Sequence, residues 1–134
     1  MLLSTKREGM ENVIERLEAA GFFQAPASTR FHLNYEGGLL EHSMNVCDMA
    51  LELRELMVRK DEGLCDLLPK ESVVIAALFH DVCKTDIYKP AMKRQKNALG
   101  IWCDVPGYDV DYSNFPLLAV IQAADGLSAH LLER

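Results

Sequence analysis

The sequence contains no run of roughly 18 uninterrupted apolar residues, so no segment reads as a membrane-spanning helix. The opening Met1-Leu2-Leu3-Ser4-Thr5-Lys6-Arg7-Glu8 reaches charge too early to hold the apolar core of a secretory leader. The expectation is a cytoplasmic protein with no membrane partner. An excess of positive charge is also lacking. Fourteen lysines and arginines stand against 20 aspartates and glutamates, a formal net charge of −6. The chain as a whole is therefore not built to wrap nucleic acid, and any contact with phosphates must come from a local patch. There is no C-x-x-C pair. Cys47, Cys65, Cys83 and Cys103 lie far apart, which argues against a zinc knuckle or a redox dithiol and predicts free thiols. Cys47 and Cys83 sit in apolar patterns and are expected to pack. Repeats and low-complexity tracts are absent, and 134 residues at 49% hydrophobic and 25% charged suit one domain, 1–134, with one core.

Helical periodicity dominates what is there. Met10, Val13, Ile14 and Leu17 recur on one face between about Lys6 and Ala20, and Gly21 is a natural stop. A loop follows through Pro26 and Ser28. A second helix is expected from Gly37 or Gly38 to about Arg59, with Leu39, Val46, Ala50, Leu53 and Met57 in one stripe and His42 inside it. After a connector from Asp61 to Pro69, a third helix starts near Lys70 or Glu71. It is apolar almost all round, as the central helix of a bundle would be. Helical spacing then disappears from Thr85 to Pro116. Asn97-Ala98-Leu99-Gly100 reads as the bend of a hairpin or an ordered loop. A last helix is expected from about Leu117 to Leu132, with Leu118, Ile121, Asp125, Ser128 and Leu132 in its stripe.

Three of these helices carry ionisable residues on a face expected to be buried: His42, the pair His80-Asp81, and Asp125. A buried charge is costly unless it is paired or bound to a metal. Each residue has a plain alternative. A lone histidine on an apolar face is ordinarily a hydrogen-bonded core residue, and Asp125 can cap or bond a neighbouring helix. Together, histidines and carboxylates are a ligand set for a divalent cation such as manganese, iron, zinc or magnesium, and adjacent His80 and Asp81 point about 100° apart on a helix.

The blocks Gly37-Gly38-Leu39-Leu40-Glu41-His42-Ser43, Leu78-Phe79-His80-Asp81-Val82-Cys83-Lys84 and Ala123-Ala124-Asp125 resemble the HD-domain metal-dependent phosphohydrolases, whose pattern is H…HD…D. The resemblance covers roughly Phe31 to His130. It implies an all-α HD-domain helical bundle, here with a small hairpin or irregular insertion. It also implies that His42, His80, Asp81 and Asp125 are metal ligands for a divalent ion (manganese, iron, zinc, magnesium, cobalt or nickel). Asp81 would orient or deprotonate a metal-bound water, and Lys84, one turn after the pair, would contact substrate phosphate. A lysine near a helix end is also favoured simply by the dipole. His32, ahead of the glycine pair, is a candidate substrate contact or a polar loop residue. Glu41 is expected to support its neighbours, and His130 to lie on the surface. The basic segment with Lys89 and Arg94 either meets an anionic substrate, with Trp102, Tyr108 and Tyr112 as stacking aromatics, or is a solvated hairpin.

One departure stands out. Relatives usually carry two more helices, often with further histidines, between the HD pair and the last aspartate. Here no histidine lies between His80 and Asp125, and Phe115-Pro116-Leu117-Leu118 reads as a junction. Either the form is naturally short or an internal segment is missing near 116–118, and a mononuclear site is favoured. The leading expectation is a metal-dependent phosphohydrolase acting on a nucleotide or related phosphate ester, its partner being a small phosphorylated substrate. The alternatives are a catalytically reduced HD domain that binds a nucleotide or metal as a regulatory module, and a nucleic-acid phosphodiesterase.

Overall fold

Leu17, Phe22, Ala25 and Leu39 form one buried cluster, and Cys47, Val74, Ala77 and Leu78 form another, with Leu2 packed against both. The computed structural model describes residues 1–111 together with Val120 and Ala124. Its elements are a 3₁₀ turn at Leu2–Thr5, then α1 (Met10–Ala20), α2 (Gly38–Lys60), α3 (Leu64–Leu67), α4 (Lys70–Phe79), α5 (Lys84–Ile87), β1 (Tyr88–Lys96) and β2 (Trp102–Val110). The last expected helix, with Asp125 in its stripe, lies outside the described residues. No described helix is long and apolar enough to cross a membrane.

α1 begins later than its pattern suggested, because Lys6 and Gly9 both take left-handed backbone, at φ 53° and 84°. Its end is a Schellman closure. Gly21, at φ 88°, donates its N–H to Glu18, Phe22 donates to Leu17, and the Leu17 and Phe22 side chains share a cluster. α2 packs along α4 through Cys47, Val46 and Ala50 against Val74, Ala77 and Leu78. Its far half does not follow the expected stripe: Leu53 and Met57 are exposed. α4 buries one face, while Ala76 is exposed, so it is not covered on every side as its apolar circumference implied.

The all-α expectation is overturned by the region after α5. β1 and β2 pair antiparallel in register from Tyr88↔Val110 to Lys96↔Trp102, so the fold is mixed α and β and the insertion is not small. Asn97 Oδ1 accepts the N–H groups of Leu99 (2.9 Å) and Ile101 (3.0 Å), and Gly100 takes φ 75° to close the loop. One face of this ribbon (Ala91, Lys93, Cys103, Val105 and Gly107) is half-covered and the other is open, and neither is fully buried, so its residues show no apolar alternation. Two strands leave two free edges, which is where Pro90 and Pro106 are tolerated.

The segment from Gln24 to Tyr35 serves as the cap of α2. No side chain caps that helix; instead Gly37, Gly38 and Leu39 donate their N–H groups to the carbonyls of Gln24, Tyr35 and Ala25. Gly37 has φ 83°, and Gly38 lies directly under Leu33: a Cβ on Gly38 would collide with the Leu33 carbonyl oxygen and sit 2.9 Å from its carbon. Gly38→Ala must push the loop off the helix. It is expected to lower stability by about 2 kcal/mol or more, as a shift in urea midpoint at unchanged slope.

Candidate metal centre

α4 ends at Phe79, so His80 and Asp81 are not on the helix as expected but in the turn that joins it to α5. That turn closes on bonds between residues three apart: Val82 N–H to Phe79 O (3.1 Å), Lys84 N–H to Asp81 O (3.0 Å) and Thr85 N–H to Val82 O (3.1 Å). Side chains three apart eclipse in such a turn. Lys84 therefore stands over Asp81, with Nζ 2.6 Å from Oδ2. The last carbonyls of α4 have no partner within the helix. The Ala77 carbonyl lies 2.7 Å from His80 Nδ1, and because a carbonyl only accepts, Nδ1 carries the proton. In the neutral imidazole that tautomer makes Nε2 the coordinating atom.

That nitrogen lies 3.3 Å from Asp81 Oδ2. His42, from the second turn of α2, places its Nε2 3.5 Å from the same oxygen. The three donors lie within 4.8 Å of one another, the one such group among the described residues. Bonds of about 2.1 Å around a tetrahedral ion put neighbouring donors about 3.4 Å apart. The two nitrogen–oxygen separations fit that spacing, and the proton on His80 Nδ1 leaves the correct tautomer for coordination. The residues present thus fit a divalent cation. His32 extends the group. Its ring centroid is 5.0 Å from that of His42, which in turn is 5.2 Å from that of His80.

The site is open rather than buried. The side chains of His42 and Asp81 are 23% and 20% exposed, and that of His80 is 35% exposed. Burial is still enough to push the His42 imidazole below its ordinary pKa. The Asp81 carboxylate pulls it upward, and His32, His80 and Lys84 push it further down. A neutral His42 is the form that can donate a lone pair to a metal.

Of the residues singled out in the sequence, the fold brings together His32, His42, His80, Asp81 and Lys84. Asp125 and His130 lie outside the described residues. Lys89 pairs in register with Asp109 near the open end of the hairpin, and Arg94 faces a separate cleft. Glu41 accepts a hydrogen bond from the Tyr35 hydroxyl at 2.6 Å. Cys47 is buried as expected, but Cys83 is exposed because the helix stops before it. Sequence reasoning missed the Ala77 carbonyl, which carries no residue-type signal, and Arg30 in the capping loop, where the signal was its position two residues before His32.

No protein-family model matches the chain, and no solved structure does. Among curated proteins, a stretch of 61 residues, 46% of the chain, is 34% identical to the dihydroneopterin 2',3'-cyclic phosphate phosphodiesterase of Methanocaldococcus jannaschii. The matched stretch covers 23% of that protein's length.

Two outcomes follow from the geometry. Titration calorimetry with manganese or zinc is expected to show binding to the native chain. In His80→Ala and Asp81→Ala the affinity should fall by more than the roughly 10- to 100-fold that loss of a ligand's hydrogen-bonded neighbour costs. For metal-free protein, the depressed pKa of His42 sets the sign of a pH effect. The unfolded chain binds the proton more readily, so the stability tied to neutral His42 is present above about 6.5 and lost as pH falls through the folded value. The stability gap between native protein and His42→Gln, followed by urea unfolding, should move against the native protein on acidification.

Proposed function

We propose that the chain is a divalent-metal-dependent phosphohydrolase acting on a nucleotide or related phosphate ester. The observation that carries this reading is the convergence of His42 Nε2 and His80 Nε2 on Asp81 Oδ2, with His80 held in the ligating tautomer by the Ala77 carbonyl. The partial similarity to a phosphodiesterase of a 2',3'-cyclic phosphate supports the same reaction class.

In this reading His42, His80 and Asp81 hold the ion, with Asp125 as a further proposed ligand. A divalent ion in such a site supplies an acidified water and an electrophilic contact to a phosphoryl oxygen. The chain's own groups do the rest. Asp81 Oδ1 accepts no hydrogen bond from the described residues and is proposed to take the proton of an attacking water. Lys84 Nζ is held on Oδ2 by the eclipsed turn. With Oδ2 given over to an ion, the Lys84 ammonium would stand beside the site and could meet a phosphoryl oxygen. His32 borders the ring file on the side away from His80 and is proposed to contact substrate.

The decisive experiment is metal analysis of the purified chain combined with a phosphate-release screen over nucleoside monophosphates, diphosphates, triphosphates and cyclic phosphates with added manganese. Turnover is expected with the native chain. His80→Ala and Asp81→Ala should lose metal and turnover together, by a factor of about 10² or more. Lys84→Ala should retain metal while kcat/KM falls. A chain that binds manganese but hydrolyses none of these esters would sink the enzyme reading.

A further inference from the structure

A second polar site lies between the capping loop and the hairpin. It is a cleft of about 590 Å³ lined by Thr29, Arg30 and Asn34 on one side and by Lys93, Arg94 and Gln95, with the facing stretch of β2, on the other. No carboxylate lines it. The Lys93 ammonium is engaged by Asp109, and Gly107 allows this: a Cβ there would come within 2.8 Å of the Lys93 side chain. The two guanidiniums have no such partner. Neither Arg30 nor Arg94 forms an ion pair with any described residue, although Asp104 stands opposite Arg94 in the sheet register. The lining of the cleft itself carries three cationic residues and no carboxylate, and a bound anion would offset that charge. Arginine pairs, with hydroxyl and amide groups between them, suit the planar two-point contacts that phosphate oxygens accept.

The loop ties this cleft to the metal centre. Ser28 Oγ accepts the N–H groups of Arg30 (3.1 Å) and Phe31 (2.6 Å), which fixes the backbone from which Arg30 projects. Two residues on, His32 packs on His42. The chain's net charge of −6 disfavours a long polyanion, so the chemistry fits a small molecule with more than one anionic group.

We infer that this cleft is an anion subsite that receives a second, non-reacting phosphate of a small phosphorylated substrate, with Arg30 and Arg94 as its recognition residues. The inference rests on reading the His42–His80–Asp81 group as the place where the ester is cleaved.

The test uses inorganic pyrophosphate as probe, titrated calorimetrically into the full metal-free chain at low ionic strength. Saturable binding is expected. The double variant Arg30→Ala/Arg94→Ala should weaken it by at least about tenfold, Arg30→Lys/Arg94→Lys should weaken it less, and His80→Ala should leave it within about twofold. Both arginines are exposed, so their replacement leaves the core clusters intact. Pyrophosphate binding that is absent, or indifferent to both arginines, overturns the subsite. So does a single-stranded oligonucleotide that binds through the same arginines more tightly than pyrophosphate does. Failure of the hydrolase reading looks different: pyrophosphate binding would follow the arginines while no ester turns over. Conversely, turnover lost in His80→Ala with KM unmoved in the arginine variants removes the subsite and keeps the hydrolase.

Discussion

The approach of the Leu33 carbonyl to Gly38 is the contact on which the rest of the site depends. It has room only because Gly38 has no side chain, and it holds Leu33 at φ 50°, a left-handed conformation that a branched residue adopts only under constraint. The constraint comes from the helix end. The first N–H groups of α2 need acceptors, and the carbonyls of the loop supply them in place of a side-chain cap. The bond from the Ala27 N–H to the Leu33 carbonyl at 3.0 Å closes the loop on itself. One packing arrangement thus sets three things: the start of α2, the contact of His32 with His42, and the position of Arg30.

A second constraint acts from the other side. α4 stops one residue before the His80-Asp81 pair, and the tighter turn that follows changes which side chains meet. On a continued α-helix Lys84 would sit about 60° off the line of Asp81. In the observed turn Lys84 eclipses Asp81, and the freed Ala77 carbonyl orients the His80 ring. The polar groups are therefore organised by the backbone before any ligand is considered. Such preorganisation is what a metal or phosphoryl site requires, because ordering these groups at the moment of binding would cost affinity.

The hairpin contributes in a different way. Its strands bury little, and Lys96 rests over the exposed Trp102 ring at 5.4 Å, a contact worth about 0.5–1 kcal/mol at an exposed position. Stability is therefore not the main consequence of this ribbon. It sets basic residues against the capping loop, so that a segment remote from the helix core in sequence forms the second wall of a polar cleft. That cleft and the group of histidines share one loop, so the proposed anion subsite and the proposed hydrolytic site are joined through it.

Much of this was legible from residue types alone. The near half of the helical stripe, through Leu39, Val46 and Ala50, the stop at Gly21 and the bend at Asn97 to Gly100 follow from periodicity and turn chemistry, which are local properties of the chain; His42, His80 and Asp81, with Asp125, were candidates from ligand chemistry, and Lys84 entered through the resemblance to the HD-domain phosphohydrolases. The hairpin's strand character was not legible as a change of fold class, because an exposed two-stranded ribbon has no buried face to impose alternation. The end of α4 was hidden for the opposite reason: the apolar run from Val73 reaches the last helical residue, Phe79, and Val82 continues it beyond the polar pair, and hydrophobicity does not report hydrogen-bond register. The sequence by itself determined which chemistry the chain can offer, because donors, charges and glycines are properties of single residues. Only the tertiary structure decided that two imidazoles approach one carboxylate oxygen, that a carbonyl chooses the tautomer, and that Arg30 and Arg94 line one cleft. Those relations depend on distances between segments far apart in the chain, and packing, not composition, sets them.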